Sequence, residues 1–197
     1  VKYDLAKPLT RGARRTLGDF TDTLLQLAAE KSFDQISVNE LCQRADYPRA
    51  TFYNYFDDKY DLLDYCWLHI SQEFQFLPAP ADGKENSDLL MYFDRLFAAL
   101  KQKLPTFSTI MKFNPVDGTL VNSFISFFRG KLRVVVSSCQ ILQTPDLPPE
   151  LAAEHVANSI LLLIEWVFLK NHVVSQEQLH QYLFQLLGIV KIPDESI

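Results

Sequence analysis

Residues 37–59 carry two short helical patterns separated by a single proline, and that arrangement limits the possible folds more than anything else in the chain. Ser37 with Glu40 three places on predicts a capping box, in which serine hydroxyl and glutamate carboxylate each take up one unsatisfied backbone amide. Val38, Leu41, Cys42 and Ala45 follow at i, i+3, i+4 and i+7, the spacing of one apolar helix face. Asp46-Tyr47-Pro48 ends that helix, because proline lacks an amide and pushes the preceding residue towards extended geometry. A second helix starts at Arg49. Two short helices joined by a tight turn predict a helix-turn-helix, whose second helix enters a DNA major groove.

In the second helix Phe52 and Phe56 stand at i and i+4 and form its buried anchor. Arg49, Ala50, Tyr53 and Asn54 fall mostly on the opposite side, and no acid occurs between Tyr47 and Phe56. Such a face suits contact with phosphates and base edges, where carboxylates are repelled while hydroxyls and guanidinium donate hydrogen bonds. The alternative is a core helix with one irregular face.

The order Phe33-Asp-Gln-Ile-Ser-Val followed by Thr51-Phe-Tyr-Asn-Tyr-Phe-Asp-Asp-Lys-Tyr-Asp-Leu-Leu resembles the N-terminal domain of TetR/AcrR-type transcriptional regulators, without a gap from about Arg14 to Leu63. The resemblance implies an all-helical homodimer that binds a palindromic double-stranded DNA operator and is released by a small-molecule effector in its C-terminal domain. It also implies that Arg49, Ala50 and Asn54 read bases while Thr51, Tyr53, Tyr55 and Lys59 hold phosphates. The bland alternative for Lys59 is a surface ion pair with Asp57 or Asp58. Three positions depart from the family pattern. Ser32 and Asp46 stand where glycine is usual, both just past helix ends where a left-handed residue is expected, and aspartate accepts that conformation better than serine. Pro48 replaces a common serine or threonine cap, removing a side-chain acceptor but leaving no amide unsatisfied.

At 197 residues, 48% hydrophobic and 13% aromatic, the chain has ample material for a core and does not read as disordered. The net charge of −5 argues against a general nucleic-acid coat, yet basic and acidic residues balance through Lys59 and the deficit lies beyond it. Lys2, Lys7, Arg11, Arg14 and Arg15 face only Asp4 before Leu17, which places positive charge on an arm or first helix. Cys42, Cys66 and Cys139 form no Cys-x-x-Cys pair and sit in apolar patterns, as reduced core cysteines do. The charged opening does not resemble a signal peptide, and the run Ile160 to Leu169 is too short to span a bilayer and contains Glu165. A cytoplasmic protein with no membrane association is expected.

The fold class expected is all-α, with about nine helices in two domains. Residues 1–58 form a three-helix DNA-binding domain behind a loose arm, its first helix running from Arg11 to Lys31. Residues 59–197 form a dimerisation and ligand-binding bundle, in which 59–76 is a connecting helix capped by Asp57 or Asp58. The Leu77-Pro-Ala-Pro-Ala-Asp-Gly stretch punctuates the chain. Beyond it Ser87 caps a helix, Pro105 starts a separate short one that Pro115 closes, and a long helix covers about 117–138. A loop around Gln143 precedes a helix from Pro149 to Lys170 that is apolar nearly all round, and so must be buried on more than one side. In the family such helices pair with their symmetry mates, whereas in a monomer they form a central core. Ser175 and Gln178 predict a second capping box, and Gly188 a C-terminal stop. The segment Ile160 to Leu187, with Glu165-Trp166 and Ser175-Gln-Glu-Gln-Leu, is similar to a TetR subgroup found near dihydroxyacetone-kinase-type regulators. Phe93, Phe97, Phe107, Phe124, Phe128 and Trp166 are candidates to line an effector cavity and equally candidates for plain core.

Catalytic signatures are missing. No Gly-rich phosphate loop, no Gly-x-Ser-x-Gly elbow and no paired-histidine zinc spacing occurs among His69, His155, His172 and His180. Neither enzyme activity nor a cofactor or metal is expected. The sequence therefore points to a DNA-binding transcriptional regulator, a ligand-responsive repressor acting as a homodimer on an inverted repeat. The alternative is a protein-interaction or ligand-binding co-regulator, including an activator, that keeps the helix-turn-helix as scaffold.

Overall fold

The computed structural model describes residues 9–73, 87–137 and 147–188; the N-terminal arm, the punctuated linker, Cys139, the loop around Gln143 and the C-terminal tail lie outside them. The described residues contain eight α-helices and no strand. They are α1 (Arg11–Ala28), α2 (Val38–Arg44), α3 (Arg49–Tyr55), α4 (Lys59–Glu73), α5 (Ser87–Met111), α6 (Thr119–Ser137), α7 (Pro149–Ile164) and α8 (Gln176–Leu186). The chain separates into two compact units, one built from residues up to 73 together with 105–127, the other from 74–104 together with 128–197.

In the first unit α1 begins where the Thr10 hydroxyl accepts from the Ala13 amide at 3.1 Å, and it buries Leu17, Phe20, Leu24 and Leu27. It ends at Ala28, three residues before the expected Lys31. The Lys31 amide turns back to the Leu27 carbonyl at 3.0 Å, and a side chain from elsewhere in the unit takes the Ala28 carbonyl. That side chain is Asn114, whose Nδ2 donates to Ala28 O at 2.8 Å and whose Oδ1 accepts from the Phe33 amide at 2.8 Å. One buried carboxamide thus satisfies an orphan carbonyl at the end of α1 and an orphan amide at the start of the 3-10 turn Phe33–Gln35. For this reason Ser32 need not be left-handed. It is extended, with φ −61° and ψ 139°, contrary to what its glycine-like position suggested.

The Ser37 cap forms by half. Its hydroxyl accepts from the Glu40 amide at 3.2 Å, but the Glu40 carboxylate is drawn to the Lys31 ammonium instead of closing the box. After α2 the chain turns through Asp46 at φ 57°, and the Tyr47 amide reaches Cys42 O at 3.0 Å, a Schellman closure of the kind glycine usually serves. Beneath the two short helices Phe20 meets Phe52 edge-on at 5.3 Å and Phe56 at 6.2 Å, with Phe56 also 5.8 Å from Tyr65. These rings form the centre of the unit. Asp58 caps α4 by accepting from the Tyr60 and Asp61 amides, both at 2.9 Å. Leu62, Leu63, Cys66 and Ile70 are buried as the spacing required, and Trp67 joins them, its indole donating to Ser123 at 2.9 Å.

A single helix spans Ser87–Met111, so Pro105 does not begin a new one, and the described residues hold eight α-helices, close to the nine expected. Proline removes one helical hydrogen bond and bends the rod, but does not have to end it when both flanks are anchored. Leu100 and Ile110, each 2% exposed, anchor them here. The turn after α5 is tight. Gly118 donates to Pro115 O at 2.9 Å, and a Cβ added at Gly118 would stand 3.0 Å from that same oxygen.

In the second unit α7 is buried over most of its circumference, leaving an outer strip at Leu151, His155, Asn158 and Leu162. It runs into a π turn, Glu165–Leu169, whose last bond goes from the Lys170 amide to Glu165 O at 3.0 Å. The continuous stretch Pro149–Leu169 is long and apolar enough to cross a membrane by length and composition, and half of it is buried inside the protein. Asn171, left-handed at φ 56°, stops it as the His172 amide closes on Val167 O at 3.1 Å. The Ser175–Gln178 capping box is complete, with bonds of 3.1 and 3.0 Å, and α8 ends before Gly188 at φ 66°.

Candidate nucleic-acid interface

The short α3 is fixed from below and bare above. Phe52 and Phe56 are fully buried, while Arg49, Ala50, Tyr53 and Asn54 are exposed together on the opposite face. Thr51 and Tyr55 are half-buried at its margins. Pro48 stands at the cap position with φ −60° and ψ 147° and makes no side-chain cap bond, and the first turn of α3 contains no acid. Arg49 donates to the Tyr53 hydroxyl at 3.3 Å, its guanidinium 5.7 Å from the ring centroid. That pair forms a pre-positioned donor on a helix that carries no acid of its own.

The turn that aims α3 is itself braced. Tyr47 donates its hydroxyl to Asp19 at 2.7 Å and lies 5.3 Å from Phe20, tying the turn to α1. Arg44 grips Glu30 through both terminal guanidinium nitrogens, Nη1 and Nη2. An open groove of about 510 Å³ runs along Asn39, Cys42, Gln43, Asp46 and Arg49, where α2 and the turn meet.

Lys59 is the first residue of α4. Its ammonium donates to Phe33 O, Asp34 O and Ile36 O at 3.0, 2.9 and 2.9 Å, and it sits 4.8 Å from the Phe33 ring. Burial pushes its pKa down, and the nearby carboxylates of Asp34 and Asp58 push back. These bonds go to backbone carbonyls, with the Asp34 and Asp58 carboxylates close by. Lys59 serves as a three-point clamp on the segment joining α1 to α2, and Thr119 adds a 2.8 Å bond to Asp34 beside it.

Residues 20–66 match the family of bacterial regulatory proteins described as the tetR family. The likeness is confined to this stretch, about a quarter of the chain. The matched tetR-family segment runs from Phe20 through α2, the braced turn and α3 to Cys66 in α4. Several solved structures share the fold. The dihydroxyacetone kinase operon activator DhaS aligns with a TM-score of 0.57 at 19% identity, over 88% of this chain and 94% of its own. A tetR-family transcriptional regulator from Streptomyces coelicolor gives 0.57 at 20% identity, over 89% and 80%. The fatty acid degradation regulator FadR from Bacillus halodurans gives 0.55 at 16%, over 92% and 97%. No curated protein matches.

The six candidate effector-cavity residues are distributed over both compact units. Phe107 and Phe124, 5.8 Å apart, belong to the unit that contains the matched segment. Phe93, Phe97, Phe128 and Trp166 belong to the second. Phe93 and Phe128 are fully buried core, with Phe93 4.5 Å from Phe97. Only Phe97 lines the cleft of about 610 Å³ in that unit. Trp166 lines a shallower apolar depression of about 420 Å³ with Leu162, Tyr182 and Leu186. Sequence reasoning missed Phe168, Asn171 and His172 in the larger cleft, because a π turn shifts the helical register that would have placed them. The asparagine just past the apolar run was the one available signal. Among the described residues no three metal-ligating side chains come together.

Proposed function

We propose that the protein is a sequence-specific transcriptional repressor that binds an inverted-repeat operator as a homodimer and is released by a small-molecule effector. The observation that carries the reading is the acid-free outer face of α3, held in place by a buried aromatic triad on a matched DNA-binding domain. In this reading Arg49, Ala50 and Asn54 meet base edges, while Thr51, Tyr53 and Tyr55 meet phosphates. Lys59, its three N–H groups occupied, contributes charge beside the phosphates and fixes the angle between α1 and α2. Residues 1–58 act as the reading domain and 59–197 as the dimerisation and effector domain, with α4 as the connector. The site of action is the cytoplasm.

Homodimer formation is supported by the outer strip of α7 and the depression beside it. Leu151 is 55% exposed and Leu162 50%, next to half-buried Trp166. The two leucines share one helix face with the polar His155 and Asn158 between them, and a large exposed apolar group beside an apolar depression suits an interaction surface. A twofold axis along α7 covers the same strip on both copies. Dimeric reading then requires the two α3 helices to enter successive major grooves roughly 34–36 Å apart.

A second reading, that of an activator working through another protein, is favoured by the fold shared with DhaS, described as an operon activator. Selection of random duplexes by the purified protein separates the two. Recovery of an inverted repeat, bound with an affinity that falls steeply with salt, supports direct operator binding. Failure to enrich any sequence at low salt rejects it. A promoter fusion carrying the recovered repeat then assigns the sign of regulation.

A further inference from the structure

We propose that the cleft between α5 and the α7–α8 turn is a binding site for an amphipathic monocarboxylate, an aliphatic or aromatic acid with one apolar end. The walls set the chemistry. Phe97, Phe168 and Leu179 supply apolar surface, with Phe97 and Phe168 rings 5.3 Å apart, and the volume of about 610 Å³ lies within the range of small-molecule sites. Set into the same wall are two cations, Arg95 and Lys101, neither of which has an acidic partner among the described residues. The single acid of the wall, Asp94, is already engaged by His180 at 2.6 Å. A mostly apolar cleft whose only unanswered charge is positive selects an anion over a cation, and an anion with a hydrocarbon body over a bare one.

The turn that forms the other wall has the geometry of a built site. The π turn Glu165–Leu169 breaks the helical register and directs Val167 and Phe168 to the cleft, and left-handed Asn171 reverses the chain immediately after. Irregular helix turns of this type are frequent at functional positions. Val173, 98% exposed, stands at the lip with no apolar neighbour to cover it. An apolar chain entering the cleft gives that valine a surface to close on.

Calorimetric titration of the full-length protein with octanoate, octanol and octylammonium tests the assignment. Octanoate binds, and it binds about tenfold or more tightly than octanol, the range expected of a charge-assisted contact. Each methylene removed from the acid weakens binding roughly three- to fourfold. Lys101→Met abolishes the preference for octanoate over octanol, whereas Lys112→Met, an exposed lysine outside the cleft, leaves it unchanged. Lys101 is exposed, so its substitution does not endanger folding. Absence of octanoate binding, equal binding of octanol, or an unchanged octanoate affinity in Lys101→Met overturns the proposal. That occupancy also releases DNA rests on the repressor reading. Octanoate that binds through Lys101 yet leaves operator affinity unaltered rejects the effector role alone.

Discussion

Replacing Asn114 by alanine removes one side chain and leaves two helix-end groups stranded. The carboxamide is 3% exposed, and among the described residues it is the sole partner of both Ala28 O and Phe33 N, each at 2.8 Å. It also donates to Lys31 O at 3.4 Å and to Ile110 O at 3.0 Å; the last matters less, because the Asn114 backbone amide serves the same carbonyl. Leaving a buried donor or acceptor unpaired costs about 1–3 kcal/mol, so two of them predict a loss of about 2–5 kcal/mol of stability for Asn114→Ala. Urea denaturation followed by circular dichroism measures the loss, and hydrogen exchange at the Phe33 amide locates it. Asn114→Asp adds a pH signature. A carboxylate facing the Ala28 and Ile110 carbonyls prefers its neutral form, so its folded pKa lies above the unfolded value of about 3.9. The native state of that variant binds more protons, and its stability is highest below the unfolded pKa and falls as pH rises through the folded one. A loss below about 1 kcal/mol in the alanine variant, with Phe33 exchange unchanged, would show that water already serves these groups and would refute the reasoning.

Three further outcomes are expected. Arg49→Ala relaxes discrimination at one operator position by about 1–3 kcal/mol, whereas Tyr53→Ala weakens every duplex to a similar degree; competition binding with single-base variants separates the two. Leu162→Glu places a carboxylate in each half of the proposed twofold interface, and sedimentation analysis should find monomer at concentrations where the parent chain is dimeric. Cys66 is buried with its thiol pushed up from 9.0 to about 12, chiefly by desolvation, so the folded state holds the proton more tightly than the unfolded one. Its contribution to stability is complete below pH 9 and is lost as pH rises towards 12, so Cys66→Ala should show a shallower alkaline decline than the parent.

The local elements were legible wherever one residue's chemistry dictates one backbone state. Ser175 with Gln178, Gly188, Pro48 and the Phe52–Phe56 anchor all behave as their types and spacings require. Legibility failed where a distant group took over a local task. Ser32 is extended because Asn114, over eighty positions later, satisfies the end of α1, and the Ser37 box is incomplete because Lys31 competes for Glu40. Lys59 makes bonds to three carbonyls that no short-range pattern announces, and these stand beside the phosphate contact that the resemblance implies. Pro105 misled for a different reason. A proline signals that a helix is weakened, and only tertiary anchoring decides between a bend and an end. The exposed face of α3 was readable residue by residue, whereas aromatic spacing alone does not distinguish a cavity wall from packed core.

The chain has only two tryptophans, and the fold gives one to each compact unit. Trp67 is sealed against Ser123 and Phe124, whereas Trp166 lies half-open, stacked on His172 with ring centres 4.2 Å apart. Their emission should therefore differ in colour and in access to soluble quenchers. An unlabelled sample would thus carry two native optical reporters, able to show whether the halves melt together or in sequence.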